Sequence, residues 1–184
     1  MSGEKIKSLT TPLTDKDIDG LEVGDLIEIS GTIVTARDKA YARVLEYIRA
    51  NKELPLDLNN KVIYHCGPLT QKNNDDWKVM AAGPTTSARL DDIQVEFVEQ
   101  TGVKGLIGKG GLSKKVGEKI SDLGCIYLAF TGGAGALAAE TIESVEDVIW
   151  SDLGSAEAIW VLEVKKFGPL TVAIDSEGAS LYSL

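Results

Sequence analysis

Histidine and cysteine are nearly absent from this chain, which carries one histidine, His65, and two cysteines, Cys66 and Cys125, in 184 residues. Two distant thiols without a Cys-x-x-Cys cannot by themselves build a zinc site or an iron–sulfur cluster, so no metal-ligand set is expected in this chain. A disulfide between them is disfavoured in a reducing compartment, and both are expected as small buried hydrophobes. Basic charge is also short: 19 Lys and Arg stand against 28 Asp and Glu, a formal charge of −9. That balance repels nucleic-acid phosphates and anionic lipid, and no basic run with interleaved aromatics offsets it. No apolar run reaches the length of a membrane span, and the N-terminal MSGEKIKSLTTPL lacks the apolar stretch of a secretion signal. Nucleic acid and membrane are excluded as partners, and a cytoplasmic location is expected.

What the chain does contain suits a globular core, with 43% hydrophobic and 26% charged residues, and one domain over residues 1–184 is expected. The first thirty-five or so residues read as β structure, with a polar turn at Thr14 to Asp19 and a bend or bulge at Gly31. From TARDKAYARVLEYIRAN onward the period changes, and Ala40, Val44, Leu45 and Ile48 make one face of a helix capped near Asp38. KVIYHCGP and WKVMAAGP each read as a strand running into a Gly-Pro turn. LDDIQVEFVEQTG and LSKKVGEKISDLG read as helices, with VKGLIGKGG as strand and loop between them and CIYLAFT as a buried strand after them. Alternating strand and helix predicts an α/β fold, a mostly parallel sheet with covering helices, in which ligands gather at the carboxyl ends of strands. The tail around Gly168 and Pro169 reads as a β-hairpin closing the domain.

Two tempting motifs fail. IGKGG is not a phosphate-binding P-loop, because Val103 and Gly110 occupy positions that need Gly and Ser or Thr. Gly133, Gly135 and Ala138, with Asp152 beyond, match a dinucleotide fingerprint in spacing, but a small-residue turn that packs a helix closely explains the same letters.

Candidate chemistry concentrates between Gly83 and Gly111. A glycine-proline turn presents Thr85, Thr86 and Ser87, and Arg89 lies four residues beyond Thr85; if that stretch is helical, hydroxyl and guanidinium share a face. Lys109, between glycines, is expected to be the only side chain at a loop tip close to a ligand. Two cations beside a hydroxyl suggest a small carboxylate or phosphate ligand. Arg37 stands at a helix start, where the helix dipole disfavours a cation, so it either points to water or meets an anionic partner. His65, inside a strand, is expected as a satisfied core imidazole and not as a base.

TARDKA, the two Gly-Pro turns, AAGPTTSAR and LIGKGG, in this order across nearly the whole chain, resemble the β subunit, or C-terminal domain, of class I iron–sulfur fumarate hydratase and its relative L(+)-tartrate dehydratase. One departure, a His-to-Tyr-like variation at Tyr41 after DKA, touches no proposed ligand. The resemblance implies a swivelling β/β/α domain with additional β structure at both ends. It also implies a separate α subunit that binds a [4Fe-4S] cluster, leaving this chain without it, in a hetero-oligomer acting on a small dicarboxylate. By the same resemblance Arg37, Arg89 and Lys109 bind the substrate carboxylates and Thr85 moves the C3 proton, with Thr86 and Ser87 as rivals. Bidentate Arg suits carboxylate, and fixed cations stabilise the charge that builds as the adjacent carbon loses its proton. The implied activity is a hydro-lyase interconverting (S)-malate and fumarate; L(+)-tartrate dehydration, or a non-catalytic dicarboxylate-binding module, are the alternatives.

Overall fold

Ile33 and Val34 are neighbours in sequence and belong to different cores, one on each face of the sheet. That alternation repeats along every central strand, as the two-residue period of a strand requires. The computed structural model describes residues 6–182 apart from Asp75. Its strands are β1 (Lys7–Thr10), β2 (Leu26–Thr35), β3 (Val62–Tyr64), β4 (Leu69–Asn73), β5 (Asp76–Ala81), β6 (Gly105–Gly108), β7 (Ile126–Ala129), β8 (Ile142–Ile149) and β9 (Ile159–Ile174). The α-helices are α1 (Asp15–Ile18), α2 (Asp38–Arg49), α3 (Asp91–Thr101), α4 (Lys114–Asp122) and α5 (Gly135–Glu140).

The main sheet runs β1-β2-β3-β6-β7-β9-β8, and β2 also pairs with β9. β1 through β7 in that order are parallel, whereas β9 is antiparallel to β2, β7 and β8. The β2–β9 pairing closes β2, β3, β6, β7 and β9 into a ring. Inside it lie Ile29, Tyr64, Ile107, Leu128 and Leu162. Outside it, Ile63, Leu106 and Tyr127 are covered by Val44 of α2, Phe97 of α3 and Ile120 of α4. Each fully buried side chain of this size contributes about 1.5–3 kcal/mol relative to exposure.

The expected elements are present, with four differences. The polar turn at Thr14 to Asp19 holds the short helix α1, because Asp17 reaches back to the Thr14 N–H at 2.7 Å and closes a capping box. The tail is not a hairpin: β9 runs through Gly168 and Pro169 as one strand, since both arms find partners elsewhere, in β8, β7 and two stretches of β2. β5 does not join the main sheet but pairs with β4 in a separate hairpin. Finally, the small-residue turn does pack its helix closely, but chiefly against β5 of the separate hairpin and its end: a β-carbon on Gly135 would stand 3.0 Å from the Gly83 nitrogen, and Ala82 N–H donates to the Gly135 carbonyl at 2.9 Å. Gly31 behaves as read, with φ of 98° at the register shift between Ile29 and Gly31 in β2.

Candidate functional site

Beyond Tyr64 and Ile107, strands β3 and β6 part, and the segment Pro84–Ser87 enters between them. His65 N–H donates to the Ile107 carbonyl at 2.8 Å, the last direct bond between the two; from there Thr85 N–H donates to the His65 carbonyl at 2.7 Å and Lys109 N–H to the Thr85 carbonyl at 3.2 Å. Ser87 N–H then donates to the Lys109 carbonyl at 3.1 Å. Thr85 is thus held by its backbone on both sides at the carboxyl end of the parallel strands, the edge where α/β sheets bind ligands.

Pinning Thr85 in this bridge rules out a helix there. Thr86 is extended, with ψ of 117°, and the 3-10 turn begins only at Ser87, so Thr85 and Arg89 do not share a helical face. Arg89 instead projects from that turn, 57% exposed, with a loose 3.7 Å ion pair to Asp38. Asp38 is the first residue of α2, and Arg37 its N-cap, so this pair draws Arg89 toward the segment that carries Arg37.

Arg37 follows the end of β2. Its Nε is buried without a hydrogen-bond partner, and the nearest carboxylate, Glu157, lies 3.5 Å away as an ion pair without hydrogen-bond geometry. A buried guanidinium N–H left open is an unspent donor. Gly67, after β3, makes room for this side chain: a β-carbon there would approach Arg37 Nη1 to 2.9 Å and the Ala156 carbonyl to 2.6 Å. Glu157 escaped the sequence reading, and no local signal links it to a residue 120 positions earlier.

Lys109 is exposed after β6, and its Cδ comes within 3.7 Å of where a β-carbon on Gly132 would lie, in the loop after β7. The glycine before it serves a different end from the one expected. Gly108 is buried, and a β-carbon there would collide with Ser87 Oγ, so its bareness admits a neighbouring side chain and not a ligand. The structure therefore brings Arg37, Thr85 and Lys109 to the carboxyl edge of the sheet, after β2, in the segment Pro84–Ser87 inserted between β3 and β6, and after β6, with Arg89 tethered beside Asp38.

Ser87 separates from the other two hydroxyls. Thr85 and Thr86 are half-buried, whereas Ser87 is fully buried and its Oγ is engaged by His65 Nδ1 at 2.8 Å and Tyr127 Oη at 3.0 Å. His65 is the satisfied core imidazole expected, its Nε2 2.7 Å from Tyr41 Oη. Burial, opposed weakly by Asp38, pushes its pKa down to about 3. Tyr41 and Tyr127, missed as polar partners, are signalled in sequence only as apolar-face residues.

The thiols do not fit a cluster. Cys66 and Cys125 are free and buried, and desolvation pushes Cys66 up to about 12 and Cys125 upward as well, so neither is a ready thiolate ligand. A cavity of about 560 Å³ between α3 and α4, lined by Asp91, Glu99, Ser113 and Lys119 among others, touches none of the four candidate residues. No helix of the described residues is long and apolar enough to cross a membrane.

Cations and hydroxyls thus gather at the carboxyl ends of the parallel strands of an α/β protein, the edge where such sheets bind ligands. The family profile described as Fumarase C-terminus matches residues 2–184, and the chain belongs to that family. It is 43% identical over 175 residues to the L(+)-tartrate dehydratase subunit beta of Escherichia coli (strain K12), covering 95% of this chain and 86% of that protein. It is 46% identical over 171 residues to a Methanocaldococcus jannaschii protein provisionally named L(+)-tartrate dehydratase subunit beta, covering 92% and 88%. A Geobacillus stearothermophilus protein provisionally named fumarate hydratase class I is 38% identical over 182 residues, which is 98% of this chain but 34% of that longer protein. These relatives are hydro-lyases or their subunits.

Proposed function

We propose that this chain is the β subunit of a hydro-lyase that interconverts (S)-malate and fumarate, and that Arg37, Arg89 and Lys109 grip the substrate carboxylates while Thr85 moves the C3 proton. The observation that carries this reading is the arrangement of Arg37, Thr85 and Lys109 along one carboxyl edge of the parallel strands, with the buried Arg37 Nε still open. A dicarboxylate needs more than one cation, and guanidinium forks suit carboxylate. Thr85 has both backbone polar groups bonded, so its hydroxyl starts from a fixed base. A threonine hydroxyl is a weak base unless neighbouring cations lower its pKa, the task this reading gives Arg89 and Lys109. In the forward direction the proton leaves C3, hydroxide leaves C2 and is released as water, and a carbon–carbon double bond remains.

The [4Fe-4S] cluster belongs, in this proposal, to an α subunit, because neither buried thiol here suits it. The two chains then form a hetero-oligomer in which this one supplies clamps and a proton carrier. Its closed ring with helices on the outer face fits a swivelling β/β/α domain that meets the α subunit at the strand-end edge. L(+)-tartrate is the second reading of the substrate. The subunit-beta names of two relatives of similar length favour it.

Anaerobic co-expression with a cluster-bearing α partner, cluster reconstitution, and assay on malate, fumarate and both tartrate enantiomers tests the proposal. Turnover of one of these pairs, absent from either chain alone, is the expected result. A reconstituted complex that binds dicarboxylate without turnover would instead make this chain a binding module.

A further inference from the structure

Four buried side chains form a continuous chain behind the candidate site, Tyr41 Oη, the His65 ring, Ser87 Oγ and Tyr127 Oη, which ends on the carbonyl of exposed Gly110. The links are 2.7 Å from Tyr41 to His65 Nε2, 2.8 Å from His65 Nδ1 to Ser87, 3.0 Å from Ser87 to Tyr127 and 2.9 Å from Tyr127 to Gly110. All four side chains are fully buried, so water cannot replace a missing partner.

We infer that this chain runs in one direction only, that it fixes His65 as the neutral Nδ1–H tautomer, and that His65 is a positioning residue for the loops bearing Thr85 and Lys109. The argument is a proton count. Neutral histidine and three hydroxyls hold four protons for four links. Tyr127 Oη is placed to donate to both Ser87 Oγ and the Gly110 carbonyl but has one proton, so one of the two links must run the other way. A carbonyl cannot donate, so that proton goes to Gly110; given to Ser87, it would leave two bare oxygens facing each other at 2.9 Å. Ser87 must then donate to Tyr127, and can only accept from His65 Nδ1–H. Nε2 is left bare and accepts from Tyr41. Every proton is used once and every link is made. The alternative direction strands two oxygens at Gly110 and leaves the Tyr41 proton without one of these acceptors. Burial supports the neutral ring, because it pushes the imidazole pKa far below its ordinary value.

The positioning role follows from where the links attach. Tyr41 sits one turn along α2 from Arg37, Ser87 two residues after Thr85, and Gly110 directly after Lys109. Three segments that carry candidate ligands are therefore tied to one imidazole. That significance rests on the proposed hydro-lyase site; the tautomer does not.

Both readouts can be made on the full chain without a partner. His65 is the only histidine, so a long-range ¹⁵N–¹H spectrum of the imidazole reports it alone. Between pH 5 and 8 the expected pattern is a protonated Nδ1 and a bare Nε2. Tyr127→Phe removes the anchor at Gly110 and should populate both tautomers, whereas Tyr41→Phe should leave Nδ1–H in place. For positioning, amide hydrogen exchange at Ser87 and Lys109 is compared in two variants. His65→Asn keeps a donor near Nδ1 and should stay close to the unmodified chain. His65→Gln puts its amide near Nε2 and should exchange roughly tenfold faster, the scale of one lost buried hydrogen bond. An Nε2–H tautomer, or a ring that titrates in that range, overturns the one-way chain. Equal exchange in the Asn and Gln variants overturns the positioning role. A chain that passes both tests yet stays inactive with its partner would count against the hydro-lyase reading alone.

Discussion

Ser87 Oγ occupies the space that a β-carbon on Gly108 would need, and the same oxygen bonds the ring of His65. Gly108→Ala must therefore expel Ser87 or break that bond. The expected loss is about 2–4 kcal/mol, from overpacking and one stranded buried donor. Urea unfolding checks it, and the double variant with Ser87→Ala should lose less than the sum of the two singles. Additive losses would mean the two residues do not compete for the same space.

Acid should destabilise the chain through His65. Its pKa is about 3 when folded against an ordinary value of 6.5, so between those values the unfolded chain binds a proton that the folded chain refuses. Stability is then complete above pH 6.5 and falls as pH drops, with a slope approaching ~1.4 kcal/mol per pH unit. Asp17, lowered by the Thr14 hydroxyl, and Asp25, lowered by the Glu22 N–H, add losses only further down, below their ordinary 3.8. Urea midpoints at pH 7, 6, 5 and 4 should decline in the native chain and flatten in His65→Asn. An unchanged slope in that variant removes His65 as the cause.

Arg89→Ala and Lys109→Ala should leave folding intact, because both side chains are exposed and the 3.7 Å pair to Asp38 is worth under about 1 kcal/mol. In the assembled enzyme each should weaken kcat/KM by about 1.5–3 kcal/mol, the scale of a charge-assisted hydrogen bond. Steady-state kinetics beside thermal melts separates the two effects. Unchanged kinetics in both variants sinks the clamp assignment.

Thr85→Ala should reduce kcat more than it raises KM, while Thr86→Ala should do neither to the same degree. Both are half-buried, and the Thr85 backbone is bonded through its N–H and its carbonyl, so melting temperatures should move little. A larger kcat loss at Thr86 would shift the proton carrier by one residue.

Periodicity made the helices legible: Ala40, Val44 and Leu45 are the buried face of α2, and Gly102, with φ of 69°, ends α3. β8 was not legible, since IESVEDVI alternates poorly and its exposed face is acidic. Without β8, Gly168-Pro169 looked like the only reason for the tail to fold back. Thr85, Arg89 and Lys109 could be singled out as candidates because glycine, proline and cations cluster around them, whereas Arg37 rested on the family resemblance. Their geometry could not, because Thr85 is shaped by His65 and Lys109, 20 and 24 residues away, and strand insertion leaves no periodic trace. His65 was correctly expected to be satisfied, yet what satisfies it comes from Tyr41 and Ser87, on segments that meet only in the folded chain.

The β2–β9 closure has a consequence for how the chain acquires its shape. Thr32 donates to Glu163 at 3.2 Å across 131 residues of sequence, so one of the earliest strands waits for one of the last. At ribosomal speeds of about 5–20 residues per second, that wait is on the order of ten seconds. Throughout it β2 offers an unpaired edge to any passing extended segment. Folding of this ring is therefore a late event on the ribosome, and a nascent chain stalled before Ile159 is the form most exposed to aggregation.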